Sequence, residues 1–172
     1  MKKRILQISI ILFIILTVLN SIFFIEIFQN KDLKEFYQGK ELPDNYSEKE
    51  KSHMQEVKSL TNLSLILNGI TLISIFLLRK TKINLKIVGK KLIIISILFL
   101  IGAIFFQTFF NYFHLIFFNT NNYLLPSNSI LIQKYPLNFF RNRFLLFNFL
   151  ILTIGIYFAS RRITLKGPPQ KP

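Results

Sequence analysis

The chain has 172 residues, 51% of them apolar, with twenty phenylalanines and no cysteine. The missing cysteines exclude disulfides, thiol nucleophiles and cysteine metal sites. The formal net charge of +14 does not predict nucleic-acid binding, because many of the basic residues cluster in short segments that flank apolar runs.

The first apolar run, residues 5–28, is predicted to cross a membrane. A spanning helix needs about 20 residues that are apolar on every face, and the only charge in this run is Glu26 near its far end. A basic start, Lys2 to Arg4, precedes the run, but no small-residue cleavage site follows it. We therefore interpret it as a retained anchor and not as a secretory signal.

The next segment, residues 29–57, is polar and carries the first of only two histidines, His53. Pro43, Asp44 and Asn45 predict a turn. Ser47 with Glu50 three positions later is typical of a capping box. A helix is therefore predicted to begin there and to continue into a second span over residues 60–78, with His53 about one and a half turns before the span.

A short basic loop leads into the third predicted span, residues 92–113, and the second histidine, His114, follows directly. The segment 114–143 is too apolar for a solvated loop, and its aromatic residues suit the membrane interface. Pro126 and Pro136 exclude one long helix. This segment is predicted to form a half-buried cap before the last span, residues 144–160.

Charge predicts the topology. Residues 2–4, 79–91 and 161–171 carry basic groups and no acid, and all eight acids lie between Glu26 and Glu56. By the positive-inside pattern, both termini are cytoplasmic and the two longer segments face outward. The prediction is an all-α membrane protein, residues 1–172 forming one integral domain of the cell membrane: a four-helix transmembrane bundle with an interfacial extracellular cap.

Six amides fall in the outward halves of the predicted spans, and each costs energy in hydrocarbon unless it is partnered. They are Asn20, Asn62, Asn68, Gln107, Asn111 and Asn148. Hydrogen bonds between helices would explain them individually. Their clustering favours a polar cavity that opens outward, with Gln107, Asn111 and His114 on one helical face.

Both histidines are predicted at the outer membrane surface. Each taken alone has an ordinary structural explanation, but together they suit proton transfer near neutral pH. A zinc site would need Glu50 or Glu56 as a further ligand, and no metalloprotease, nucleophile-elbow or phosphate-loop motif occurs. On these residues, the chain is a small four-span protein, interpreted as a membrane enzyme that uses two histidines at the outer leaflet.

Around the two histidines the sequence resembles the bacterial lipoprotein intramolecular transacylases. The stretch "FHLIFFNTNNYLLPSNSILIQKYPLNFF" is similar to their second outer segment, and "YSEKEKSHMQEVKSL" is similar to their first. There are departures: Tyr123 replaces the usual tryptophan, and Glu56 replaces an aspartate. Ser127 to Ser129 replace an acid after the first proline, and Leu137 and Asn138 stand where an acid follows the second proline.

The resemblance implies an acyl shift within one diacylglyceryl-modified lipoprotein. The sn-2 acyl chain moves from the glycerol ester to the α-amine of the N-terminal cysteine, which leaves an N-acylated lyso-lipoprotein. It implies no metal, no nucleic acid and no obligatory protein partner. The partners are the lipoprotein substrate and membrane lipids, and the active site lies at the outer leaflet.

His53 and His114 are the predicted catalytic residues. His114 is assigned the general base and acid, with its tautomer fixed by the amide stripe, and His53 orients the amine or stabilises the oxyanion; the reverse assignment stays open. Glu56 is predicted to orient His53. Asn111, Asn119 and Tyr123 are predicted to provide hydrogen bonds. The alternatives are a non-enzymatic sensor or transporter subunit and a metal-dependent membrane hydrolase.

Overall fold

The computed structural model describes residues 1–118 and 124–160. These ranges contain seven helices: α1 (Lys2–Gln29), α2 (Lys31–Tyr37), α3 (Glu48–Leu77), α4 (Leu85–Ile104), α5 (Phe106–Phe117), α6 (Ile130–Lys134) and α7 (Leu137–Ser160). Of these, α1, α3, α4 and α7 are long and apolar enough to cross a membrane. The predicted all-α fold with four spanning helices is confirmed.

The four long helices are not buried by one another on most of their surface. Large apolar side chains such as Ile66, Ile73 and Ile104 are exposed. An apolar surface of this extent requires a nonpolar solvent. The hydrocarbon of a bilayer supplies that solvent, as expected of a multi-pass membrane protein.

The tightest helix contact joins α4 to α7. Val88, Leu92 and Ile151 are fully buried there. The backbones approach so closely that a Cβ added at Gly89 would lie 2.5 Å from the amide nitrogen of Ala159. Small residues at such a crossing permit the close van der Waals packing that stabilises helices in lipid.

Three of the six amides bond across helix interfaces. Ser64 Oγ donates to Asn20 Oδ1 over 2.9 Å between α3 and α1. Ser96 Oγ donates to Asn148 Oδ1 over 2.7 Å between α4 and α7. Asn68 Nδ2 donates to Thr17 Oγ1 over 3.2 Å.

The other three amides, Asn62, Gln107 and Asn111, are exposed. The prediction that the six amides line one outward cavity is therefore wrong. The alternative, hydrogen bonds between spans, accounts for Asn20, Asn68 and Asn148, because a hydroxyl on the facing helix supplies each partner.

The run predicted as one span over residues 92–113 is divided at Phe105, which leaves helical geometry with φ −104° and ψ 42°. The chain therefore bends at this point, and α5 leaves the direction of α4 before it reaches His114.

The described parts of the two segments predicted to face outward form a compact cap with its own apolar core. That core is built from Leu33, Phe36, Leu42, Tyr46, Met54 and Leu131. The predicted capping box is confirmed, since the Ser47 side chain accepts from the Glu50 amide and the Glu50 carboxylate accepts from the Ser47 amide. This capping box fixes the residue at which α3 begins, and therefore the position of His53 on that helix.

A polar cluster joins the two halves of the cap. Lys134 Nζ donates to Asp32 Oδ2 over 2.8 Å and to the Tyr46 hydroxyl over 2.7 Å. Hydrogen bonds from Lys134 and Tyr46 lower the pKa of Asp32. Burial lowers the pKa of Lys134, but its bonds to Asp32 and Tyr46 outweigh that effect and raise this pKa to about 12. Both groups are therefore charged throughout the neutral pH range.

Replacing Gly89 by alanine is predicted to destabilise the protein by about 1–3 kcal/mol, because the added methyl group forces α4 away from α7. The midpoint of thermal unfolding in detergent, followed by circular dichroism, measures this. Gly69→Ala is the control, since a Cβ at Gly69 meets no atom within 4 Å. Equal midpoints for the two variants would contradict the proposed close contact.

Candidate active site

The two histidines lie on different helices and meet beneath the cap. His53 is on the second turn of α3, and His114 is near the end of α5. Their ring centroids are 6.0 Å apart, with the planes inclined by 27°. Both side chains are half-buried. Sixty-one residues of chain separate the two histidines, so the tertiary fold alone brings them together.

Phe118 packs against both imidazoles. Its ring centroid is 5.0 Å from that of His53 and 5.1 Å from that of His114, and the residue is 5% exposed. Phe110 and Phe113 flank His114, with centroids 4.2 and 5.6 Å from its ring. Phe118 ends the stretch "FHLIFF", which begins with Phe113 and His114, and its contact with both histidines was not predicted. The rings of Phe110, Phe113 and Phe118 cover one side of the two histidines and exclude water there.

The backbone fixes the tautomer of His114. Its Nδ1 lies 2.8 Å from the carbonyl oxygen of Phe110, one turn earlier on α5. A carbonyl oxygen only accepts, so Nδ1 carries the hydrogen. In the neutral ring the lone pair is then on Nε2, which is the nitrogen able to take a proton.

Burial lowers the pKa of His114, and the bond to the Phe110 carbonyl offsets only part of that effect. The ring is therefore neutral at pH 7. The amide stripe predicted to set its tautomer does not do so, because Gln107 and Asn111 are exposed and the Phe110 carbonyl takes that place.

His53 presents a buried polar atom. Its Nδ1 is inaccessible to solvent and has no hydrogen-bond partner within residues 1–118 and 124–160. A buried nitrogen without a partner is costly, and such groups are characteristic of sites that receive a ligand or a water. Glu56, three residues further along α3, lies on the same helix face and acts electrostatically on His53.

The spacing of the rings limits how many protons the pair holds. Two imidazolium ions 6.0 Å apart in a half-buried site repel each other, so binding one proton disfavours binding the second. A neutral ring is therefore able to take one proton from a bound group and to return it, while the other ring stays neutral. This property is what acid–base catalysis requires of neighbouring groups.

Glu50 ties the second outer segment to the helix that carries His53. Its carboxylate is 3% exposed. One oxygen accepts from the Leu131 amide over 2.9 Å at the start of α6, and the other accepts from the Ser47 amide and hydroxyl. A second tie runs from Lys49 Nζ to the Leu124 carbonyl over 2.7 Å.

The remaining predicted site residues are Glu56, Asn111, Asn119 and Tyr123. Glu56 lies beside His53, whereas the Asn111 side chain is exposed on α5. Asn119 and Tyr123 lie outside the described residues. No group of three or more His, Cys, Asp or Glu side chains in the described ranges is arranged to hold a metal ion.

Together, four apolar helices and two half-buried imidazoles beneath a folded cap define an integral membrane protein with a candidate site at one end of the bundle. A family model, that of the lipoprotein intramolecular transacylase Lit, matches residues 29–140. The match includes both outer segments and both histidines. The chain belongs to this family, as its resemblance predicted, and the family is one of enzymes.

No curated protein and no solved structure matches the chain.

Glu50→Gln is predicted to loosen the cap without unfolding the bundle. The new amide nitrogen cannot accept a hydrogen bond, so a buried donor at Leu131 or Ser47 loses its partner, which costs about 1–3 kcal/mol. Hydrogen exchange followed by mass spectrometry should show faster exchange over residues 124–134. The control is Glu48→Gln, whose carboxylate is 89% exposed; similar exchange in both variants would contradict the role of Glu50.

Proposed function

We propose that the protein moves the sn-2 acyl chain of a diacylglyceryl-cysteine lipoprotein to that molecule's own N-terminal α-amine. The observation that supports this most strongly is the pairing of His53 and His114 at 6.0 Å, inside the part of the chain that matches the transacylase family. The product is an N-acylated lipoprotein with a free hydroxyl on its glyceryl group.

We propose that the active site faces outward. The connection between α3 and α4 and the start of α1 are strongly basic, whereas every acid of the chain lies between Glu26 and Glu56. The positive-inside rule then assigns both termini to the cytoplasm and the cap to the outer surface of the cell membrane. Mature lipoproteins anchored by their acyl chains expose their N-terminal cysteine at that surface.

The proton transfers suit His114. Nε2 takes a proton from the amine as the nitrogen attacks the ester carbonyl, and a tetrahedral intermediate forms. The carbon–oxygen bond to glycerol then breaks, and the same nitrogen returns the proton to the leaving oxygen. The new C–N bond replaces the C–O bond, so no atom is gained or lost. General catalysis of this kind contributes about 10²–10⁴-fold.

His53 is proposed to act on the other side of the reacting carbon. Its imidazole would bind the substrate's amine, or, through an N–H group, would donate to the developing oxyanion. A positioned donor of this type is worth about 3 kcal/mol. Glu56, on the same face of α3, is proposed to orient the His53 ring. If His53 binds the amine, it acts before the new bond forms. If it donates to the oxyanion, it acts when the tetrahedral intermediate forms.

Few reactive groups suffice for this reaction. The amine and the ester belong to one molecule, so much of the cost of bringing reactants together is already met. An amide is more stable than an ester, so the transfer needs no nucleotide or cofactor. The active site must still exclude water, because water would hydrolyse the ester. Phe110 and Phe113 beside His114, and Phe118 against both histidines, cover one side of the pair with apolar surface.

The reaction is tested by producing the protein in a host that lacks its own lipoprotein N-acyltransferase. Because the shift is an isomerisation, the total acyl mass of the lipoprotein N terminus should not change. Tandem mass spectrometry should locate one chain on the nitrogen and one on the glyceryl group. A triacylated N terminus, or an unchanged diacylglyceryl form in every lipoprotein, would contradict the proposed transfer.

Alanine at either histidine is predicted to reduce the transfer at least 10²-fold, because each removes a group acting on the reacting atoms. Product formation per mole of folded protein is the measurement. Gln55→Ala is the matched control, since this exposed side chain lies on α3 two residues from His53. Full activity of both His53→Ala and His114→Ala would refute the site while leaving the family membership intact.

A further inference from the structure

An apolar groove runs between α1 and α4, far from the two histidines. It has a volume of about 270 Å³ and is lined by Ile8, Ile11, Leu12, Lys91, Ile94 and Ile95. Helix α3 leads away from His53 to Leu77, and α4 begins after a short connection at Leu85. The groove therefore lies near the opposite end of the bundle from the candidate active site.

Lys91 is the only charged residue in the lining of this groove. Its Nζ donates to Gln7 Oε1 over 3.4 Å, across the gap between the two helices. That bond uses the amide oxygen of Gln7 and leaves the amide nitrogen as a further donor. An ammonium group beside a neutral donor is a suitable arrangement for a phosphate oxygen.

The surroundings of Lys91 lack any counter-ion. No Asp or Glu occurs in residues 1–25 or 57–118, and Lys90 and Arg4 add to the positive charge at this level of the two helices. Lys91 itself is exposed. A strongly basic region at a membrane surface attracts acidic headgroups, and here an apolar groove suited to an acyl chain adjoins it.

We infer that this groove binds one acidic phospholipid, with an acyl chain against the isoleucines and the phosphate beside Lys91 and Gln7. Charge complementarity selects an acidic lipid over a zwitterionic one, because the cationic part of a zwitterionic headgroup offsets the attraction of its phosphate. The site does not depend on the acyl-transfer reaction.

Native mass spectrometry of the full-length protein from membranes that contain equal amounts of phosphatidylglycerol and phosphatidylcholine tests this inference. The wild type should retain phosphatidylglycerol in preference to phosphatidylcholine. Lys91→Gln should lower retention of phosphatidylglycerol about ten-fold, the loss expected when one charge-assisted hydrogen bond to the phosphate is removed, and should leave retention of phosphatidylcholine unchanged.

Two further variants separate a defined site from general surface charge. Lys80→Gln removes the same charge from the exposed connection between α3 and α4 and should not change retention. Ile94→Trp, at a position 57% exposed, fills the groove and should reduce retention while Lys91 is intact. Equal loss in Lys80→Gln and Lys91→Gln, unaffected binding in Ile94→Trp, or no headgroup preference in the wild type would overturn the inference.

Discussion

The whole candidate site depends on holding two imidazoles from different helices 6.0 Å apart. Phe118, the residue that follows α5, packs against both rings and so links the two helices at the site. Polar bonds fix the surrounding cap: Glu50 joins α3 to the start of α6, and Lys134 joins α6 to Asp32 of α2. The bond between Glu50 and the Leu131 amide is buried, so it is worth more than an exposed pair.

Much of the fold follows from local sequence. Apolar runs of spanning length predicted four long helices, and Ser47 with Glu50 predicted the start of α3, because capping depends on neighbouring residues. The break at Phe105 was not predicted. It lies within a largely apolar run, where no proline marks Phe105.

The candidate site was also predictable in part. Two histidines at the ends of apolar runs are visible in the sequence, and their pairing was expected because both segments face one side of the membrane. The prediction of an outward cavity lined by amides was wrong, since composition does not reveal that Ser64 and Ser96 face Asn20 and Asn148. Phe118 and the Phe110 carbonyl were missed, because an aromatic contact and a backbone acceptor leave no distinct signal in one sequence.

The pairing of the rings is tested most directly by solid-state NMR of the protein in lipid, labelled with ¹³C and ¹⁵N at histidine alone. The chain has only two histidines, so a cross-peak between two different imidazole spin systems reports His53 and His114 without ambiguity. The account predicts this cross-peak, its loss in His114→Asn, and a ¹⁵N shift typical of a protonated Nδ1 in one ring. Two isolated ring systems without through-space transfer would contradict it.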